Sequence, residues 1–367
     1  FAYGLQNDNR TQKENNLLAN IDVNIKILPW LSALVRTNTN FYNIAYERKN
    51  RGAGIAFAGG DYEITQNTNK SYRVQGLLNA TKELSSDFEL NASIGAETYQ
   101  KNLGDAAFYN RSVTNGGLKI PDVYSISNSI NPSTTTAYPN LGERTDAVYL
   151  YGDITWKNML TLNVSGRNDW SSALTYRDGH GNYSYFYPSV GLAWIFTELP
   201  VFQNSSILSF GKLRGSYSYT GLSAKPQLTN TDGYYRLQDG TFNNAGGGNQ
   251  SVYGFSDNIL RNSNLKNELT KELEIGTNLG FFKNRLNFDV AYYKKNSYNQ
   301  ILSFSLPQES GVSSQSLNAG NIQNQGIEVL ITGKPIESRD FNWNASVTFT
   351  RNRNKILELA PGVENYD

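Results

Sequence analysis

One imidazole is available to the whole chain. His180 stands in Arg177-Asp178-Gly179-His180-Gly181-Asn182, a polar, turn-like run. A Ser-His-acid relay needs its imidazole held between two partners, and a run of this composition reads as a solvated loop instead. With a single His and no Cys, a multi-histidine metal site, disulfides and thiolate chemistry are excluded. Carboxylates pair at Glu272 with Glu274 and at Glu89 with Glu97, a combination a glycosidase could use. The reading favoured here is a hydrated wall. Asp61-Tyr62-Glu63 could offer oxygens to calcium, but no EF-hand spacing surrounds it. Gly246-Gly247-Gly248 lacks the Lys-Ser/Thr and the following helix of a phosphate loop, and reads as a flexible loop tip. The chain is therefore expected to be a non-enzyme without cofactor or metal.

Aromatic side chains interleaved with amides offer a different chemistry. Tyr109, Tyr124, Tyr138, Tyr183, Tyr234, Tyr235 and Tyr253, with Phe108, Phe255 and Arg236, fall in long polar stretches rich in Asn and Asp. Aromatic faces stack on the apolar faces of sugar rings, while amides and carboxylates bond the hydroxyls. Loops on a rigid scaffold are common carriers of binding. The same side chains could pack loops against one another or against a partner protein, because interfaces also favour Tyr and Arg.

The elements that must position these groups are strands. Ile21, Val23, Ile25 and Ile27 alternate with Asp22, Asn24 and Lys26, and period two sends successive side chains to opposite faces. The pattern recurs where Phe88, Leu90, Ala92 and Ile94 oppose Glu89, Asn91 and Ser93, and where Leu160, Leu162 and Val164 oppose Thr161, Asn163 and Ser165. Leu273, Ile275 and Leu279 oppose Glu272, Glu274 and Asn278; Phe341, Trp343, Ala345, Val347 and Phe349 oppose Asn342, Asn344, Ser346, Thr348 and Thr350. We count about thirteen strands. Pro188 falls inside one of them and cannot donate to a ladder, which predicts a bulge near the rim.

Connections alternate between short and long. Short ones are expected near Leu28–Trp30, Glu83–Asp87, Lys157–Met159, Glu198–Ser206, Phe282–Arg285 and Lys334–Asp340. Long polar ones are expected near Asn43–Lys70, Lys101–Arg144, Ser171–Ser184, Gly221–Glu268 and Asn299–Asn321. That order suits an all-β, up-and-down, antiparallel transmembrane barrel with short periplasmic turns and long outer loops; a Greek-key sandwich has no reason to keep it. Mean hydropathy is -0.51, and no apolar run reaches the ~18 residues of a transmembrane helix, but half of each barrel strand faces water. Trp156, Trp194 and Trp343 share the apolar parity near short-turn ends, and Trp30 lies in a short turn; all four are expected in a girdle at the membrane interface. Trp170 keeps the same parity and reads as an outer girdle residue or a ligand contact. Nucleic acid wants a basic face to meet its phosphates, and a net charge of +1 gives no argument for one, so nucleic acid is not expected as a partner. Residues 1–367 read as part of one barrel domain and as an internal piece of a longer precursor, because no signal-peptide pattern opens the chain and its last residues trail off as a loop.

Four ordered stretches resemble the SusC/RagA-type TonB-dependent transporters. YFYPSVGLAW at Tyr185–Trp194 is similar to the family's aromatic-Pro-Ser-Val segment leading into a Trp strand, and KLRGSYSYTG at Lys212–Gly221 to its KLR strand. Asn264–Ser297 resembles its Asn-Leu-Lys hairpin with an Asn-Arg-Leu turn, and NAGNIQNQGIEVLITGKPI at Asn318–Ile336 its Asn-x-Gly-Ile-Glu strand. The match is best from about Thr145 onward. The resemblance implies a barrel of about 22 strands, wide enough to need a plug, with the plug, the TonB-contacting segment and the closing strands outside these residues. It implies import across the outer membrane of a Gram-negative bacterium, driven by the inner-membrane proton gradient. The usual cargo is an oligosaccharide, sometimes a peptide, under a SusD-type surface lipoprotein acting as a lid. A passive porin, a siderophore or cobalamin receptor, and a secreted carbohydrate-binding or adhesin β-protein are the rival expectations.

Overall fold

Alternation at period two dictates the architecture, and the strands it marks run further than their apolar residues. The computed structural model describes residues 9–51, 59–102, 107–113, 116–139, 142–176, 179–202, 205–224, 235–243, 249–255, 259–260, 262 and 264–359. The strands are β1 (Asn9–Leu28), β2 (Leu31–Asn50), β3 (Asp61–Ser85), β4 (Phe88–Lys101), β5 (Ala107–Ser112), β6 (Thr134–Pro139), β7 (Glu143–Trp156), β8 (Leu160–Ser171) and β9 (Ser184–Ile195). They continue with β10 (Leu208–Leu222), β11 (Tyr235–Asn243), β12 (Asn249–Phe255), β13 (Ile259–Leu260), β14 (Glu268–Phe281), β15 (Leu286–Ser305), β16 (Ser314–Glu337) and β17 (Asn342–Glu358).

Fifteen of these form one sheet in the hydrogen-bonded order β1-β2-β3-β4-β7-β8-β9-β10-β14-β15-β16-β13, with β17 also beside β16, β5 beside β3 and β6 beside β5. The long strands follow chain order, up and down, as the alternating connections predict. β13 joins β16 in parallel over two residue pairs, and β11 with β12 forms a separate two-stranded sheet. The long connections thus hold strands of their own, which their polar composition does not mark.

Two boundaries differ instructively. The polar connection expected over Asn43–Lys70 narrows to 51–60, and that over Asn299–Asn321 narrows to 306–313. β3 is 25 residues long and β16 is 24, whereas crossing a bilayer takes about 10. A backbone ladder needs donors and acceptors, not apolar side chains, so pairing persists where both faces become polar. Pro188 makes no bulge: β8 and β9 stay in register from Leu160↔Trp194 to Trp170↔Ser184. The β9–β10 ladder instead stops at Ser189↔Ser218, so the missing donor falls where pairing to β10 ends.

The short turns follow local chemistry. Lys157 and Asn158 adopt φ of 50° and 52°, and the Met159 amide donates to the Trp156 carbonyl at 2.9 Å. Left-handed pairs of this kind match the twist of a hairpin.

The chain divides into two compact units. One comprises Phe1–Val23, Val35–Gly76 and Glu97–Thr145. Within it, Asn128 organises the segment before β6: its side-chain amide donates to the carbonyls of Ile120 and Val123, both at 2.8 Å. The other comprises Asn24–Leu34, Leu77–Ala96 and Asp146–Asp367. Its buried cluster is small, Leu174, Ala224 and Leu265 with Tyr185 and Ile301 against them, and it lies at the long-connection ends of the strands. Many large apolar side chains are instead exposed on the apolar face of their strands, with Val347 60% exposed, Ile275 56% and Leu150 54%. A water-soluble sheet would hide that face; a transmembrane barrel turns it to lipid.

Candidate functional site

The polar strand face carries paired charges. On β10, β14 and β15, Arg214 donates to Glu274 at 3.5 Å, Asn278 at 2.5 Å and Asp289 at 2.9 Å. Lys295 pairs with Glu272 at 3.0 Å. The two carboxylates that spacing offered as an acid-base pair therefore each hold a cation from a neighbouring strand. Glu89 accepts from the Asn91 side chain at 3.3 Å, and Asn91 also donates to Asp153 at 3.2 Å. These contacts make a polar wall in which Glu272, Glu274 and Asp289 meet cations, while Glu89 and Asp153 share the Asn91 amide. Arg214, Asp289 and Lys295 do not stand out in the sequence, and Asn278 does so only as a polar-face residue. Their signal was parity: each occupies the polar face of its strand.

Beyond the apolar stretch, β1, β2, β3 and β5 frame a cleft of about 520 Å³ whose lining includes Lys13, Tyr46, Glu47, Gln66, Tyr109 and Arg111. The Glu47 carboxylate accepts from the Tyr62 hydroxyl at 2.9 Å; that bond, with help from Lys49, holds its pKa below the ordinary carboxylate range. Burial pushes the Tyr62 phenol up. Asp61 and Glu63, the candidate calcium oxygens, both meet the Arg48 guanidinium, at 2.6 and 3.1 Å. A guanidinium occupies the place a metal would need. Among the described residues no group of three or more His, Asp or Glu side chains could hold a metal ion.

The loop aromatics part company. Tyr109 on β5 is 49% exposed beside the cleft, and Tyr183 before β9 is 41% exposed. Tyr124 is half-buried against Tyr62, ring centroids 6.3 Å apart, and its hydroxyl donates to Asp122 at 3.4 Å. Tyr138 pairs with Phe108 across β6 and β5. Tyr235, Arg236 and Tyr253 lie on the β11–β12 hairpin, opposite Phe255, Gly254 and Leu237. Tyr234 and Gly246–Gly248 lie outside the described residues. His180 is exposed and stacks on Tyr176 with centroids 4.6 Å apart. Tyr185 belongs to the buried cluster: its hydroxyl accepts from the Asn267 amide at 3.2 Å, and burial raises its pKa.

The tryptophans sit at the short-turn ends. The Lys82 ammonium lies 5.6 Å from the Trp30 ring centroid and that of Lys157 lies 5.4 Å from Trp156. Trp194 packs edge-on against Phe196 at 5.9 Å, and Trp343 is 52% exposed on β17. Trp170, at the long-connection end of β8, is 40% exposed.

Long antiparallel strands in chain order, one face apolar and exposed and the other charged and paired, define a wall segment of a transmembrane β-barrel. The chain belongs to the TonB dependent receptor-like β-barrel family, whose model matches residues 2–366. It is similar to TonB-dependent receptor P3 of Formosa agariphila, 29% identical over 275 residues that cover 73% of this chain and 26% of the relative. It is also similar to TonB-dependent receptor SusC of Bacteroides thetaiotaomicron, 29% identical over 215 residues, 55% of this chain and 20% of SusC. In fold it matches the RagAB peptide transporter with a TM-score of 0.82 at 18% identity, over 100% of this chain and 39% of that one. The chain thus spans about a quarter or less of these two curated relatives. The SusC/RagA resemblance read from four motifs stands in both sequence and fold.

Proposed function

We propose that residues 1–367 form part of the single barrel domain of a TonB-dependent outer-membrane importer for bulky cargo, an oligosaccharide or a peptide. The observation that supports this most is the two-faced wall: exposed apolar residues on one side, Arg214, Glu274, Asp289, Lys295 and Glu272 paired on the other. Such a wall encloses a wet lumen within lipid. Cargo enters through the long connections, where exposed Tyr109 and Tyr183 offer stacking faces. A SusD-like surface lipoprotein closes over them, and TonB acts through a segment outside these residues. Trp30, Trp156, Trp194 and Trp343 form the inner interfacial girdle. RagAB is a peptide transporter, which supports keeping peptide beside oligosaccharide as cargo. The relatives are named receptors and transporters rather than enzymes, in line with Glu272 and Glu274 each meeting a cation.

The test is to purify the full-length protein from detergent-solubilised outer membranes and identify what accompanies it by mass spectrometry. A stoichiometric surface lipoprotein with a bound glycan or peptide is expected. A heat-modifiable barrel that arrives alone would favour a porin or small-ligand receptor, and recovery only in the soluble fraction would end the membrane reading.

A further inference from the structure

The apolar face changes character at one height on four adjacent strands. On β14 the outward run Leu279, Thr277, Ile275, Leu273 gives way to Lys271, and on β15 the run Phe288, Val290, Tyr292 gives way to Lys294. Register carries the line onward: Tyr292 faces Ile327 on β16, and Ile327, Gln325 and Gln323 face Arg351, Arg353 and Lys355 on β17. Arg351, Arg353 and Lys355 therefore continue the parity of Trp343, Val347 and Phe349. Five cations share this face. No Asp or Glu occupies the same parity over 269–281, 286–298, 323–333 or 343–355.

The opposite face of the same strands behaves differently, since there Glu272, Glu274 and Asp289 each hold a cation. None of the five outward cations has a carboxylate partner among the described residues. Lys294, Arg351, Arg353 and Lys355 are exposed. Lys271 is clamped between two phenol rings, its ammonium 5.0 Å from the Tyr219 centroid and 5.3 Å from that of Tyr298. At the corresponding height β8 and β9 present no cation but Gly166, Asn168, Phe186 and Pro188.

Height decides what the cations meet. They begin about nine residues up each strand from its short turn, ~30 Å of strand. A barrel tilt of ~40° reduces this to ~23 Å, close to the ~25 Å apolar band of outer-membrane barrels. Cations just above that band lie among the head groups of the outer leaflet. We propose that Lys271, Lys294, Arg351, Arg353 and Lys355 form a docking belt for the phosphates of a phosphorylated outer-leaflet glycolipid of the lipid A type. The belt rests on the outer-membrane reading given above. Each phosphate meets unpaired ammonium and guanidinium groups, and Arg presents the fork that suits it. The acyl chains then lie along Leu273, Ile275, Ile327 and Phe349.

The experiment uses the full-length protein purified in detergent and titrated by native mass spectrometry with bisphosphorylated lipid A, and separately with its dephosphorylated form. The intact protein is expected to prefer the phosphorylated lipid by about tenfold or more. Lys294→Gln combined with Arg351→Gln, Arg353→Gln and Lys355→Gln should abolish the preference, while the matched set Lys294→Arg, Arg351→Lys, Arg353→Lys and Lys355→Arg should keep most of it. Heat-modifiable mobility on gels verifies that each barrel is folded, and the single Lys294→Gln exchange serves if the fourfold variant is not. Equal affinity of the intact protein for both lipids, or an undiminished preference in the glutamine variants, would overturn the belt. Loss of a co-purifying protein with lipid preference unchanged would overturn it too, in favour of a protein contact. Fractionation of the full-length protein away from the outer membrane would instead remove the importer reading, a failure distinct from these.

Discussion

The guanidinium of Arg214 lies across the backbone of Gly276, so near that a Cβ at Gly276 would come within 2.8 Å of Cζ. The absence of a side chain on β14 lets one arginine from β10 reach Glu274, Asn278 and, a strand further, Asp289. The far end of an arginine can swing aside, so Gly276→Ala is expected to spare the ladder and lose these contacts, at about 1 kcal/mol. Urea unfolding in detergent measures the loss. Combining it with Arg214→Ala should add little, because both changes remove the same interactions; full additivity would mean the arginine and the glycine act separately.

Gly95 poses a stiffer problem. A Cβ there would sit 2.7 Å from the Tyr149 ring and 2.8 Å from Leu77 Cδ1, and Tyr149 is only 9% exposed. A packed ring cannot withdraw as an arginine can. Gly95→Ala is expected to destabilise by about 1–3 kcal/mol through overpacking, read as a lower temperature for the heat-modifiable gel shift. An unshifted transition would show that the ring has somewhere to go.

Acid should release one loop before it disturbs the strands. Asp122 accepts two bonds from Arg51, at 2.8 and 2.9 Å, and chiefly through them its carboxyl titrates below the ordinary range. A carboxyl depressed on folding contributes stability above its unfolded value of about 3.9, lost as pH falls through the lower folded value. Protection from hydrogen exchange at the Lys119 and Ile130 amides, which bond the carbonyls of Asn128 and Gly117, should fall below about pH 4 while the β15–β16 ladder keeps its own. Asp122→Asn should do the same at neutral pH, since Asn accepts the φ of 62° found there. Identical protection in both proteins would assign the anchoring to other contacts.

Exposure sets Tyr109 and Tyr183 apart from Tyr124, and the proposed cargo contacts are tested on that division. Tyr109→Ala and Tyr183→Ala, and Tyr234→Ala together with Tyr235→Ala, should reduce cargo uptake by several-fold without lowering the amount of folded barrel. Tyr124→Ala should loosen its loop instead, because that ring packs on Tyr62. Uptake assays with barrel abundance measured in parallel discriminate the two. Unchanged uptake in all the first variants would leave these side chains a packing or partner role.

Parity was readable wherever one face of a strand is apolar, as on β14, where Leu273, Ile275 and Leu279 alternate with Glu272, Glu274 and Asn278. It failed where both faces turn polar: β2 beyond Asn43 and β15 beyond Asn299 look like loop in sequence, yet remain paired. The Arg214 cluster was hidden for another reason. Its partners lie 60, 64 and 75 positions away, and only the register of three strands brings them together. The same register was needed to align Lys271 and Lys294 with Arg351. Tyr124 and Tyr109 have the same residue type in similar surroundings, so only coordinates could assign one to packing and the other to an open cleft.

The β15–β16 ladder stays paired as far as Ser305↔Ser314, well past the ~10 residues a strand needs to cross lipid. The hairpin therefore ends as a stiff mast rather than as a slack loop at the bilayer surface. Sequence at its tip can drift, lengthen or be exchanged without touching the residues that govern insertion. On the importer function proposed above, recognition and membrane assembly then become separately heritable, and one barrel wall could be refitted for new cargo by changing its tips alone.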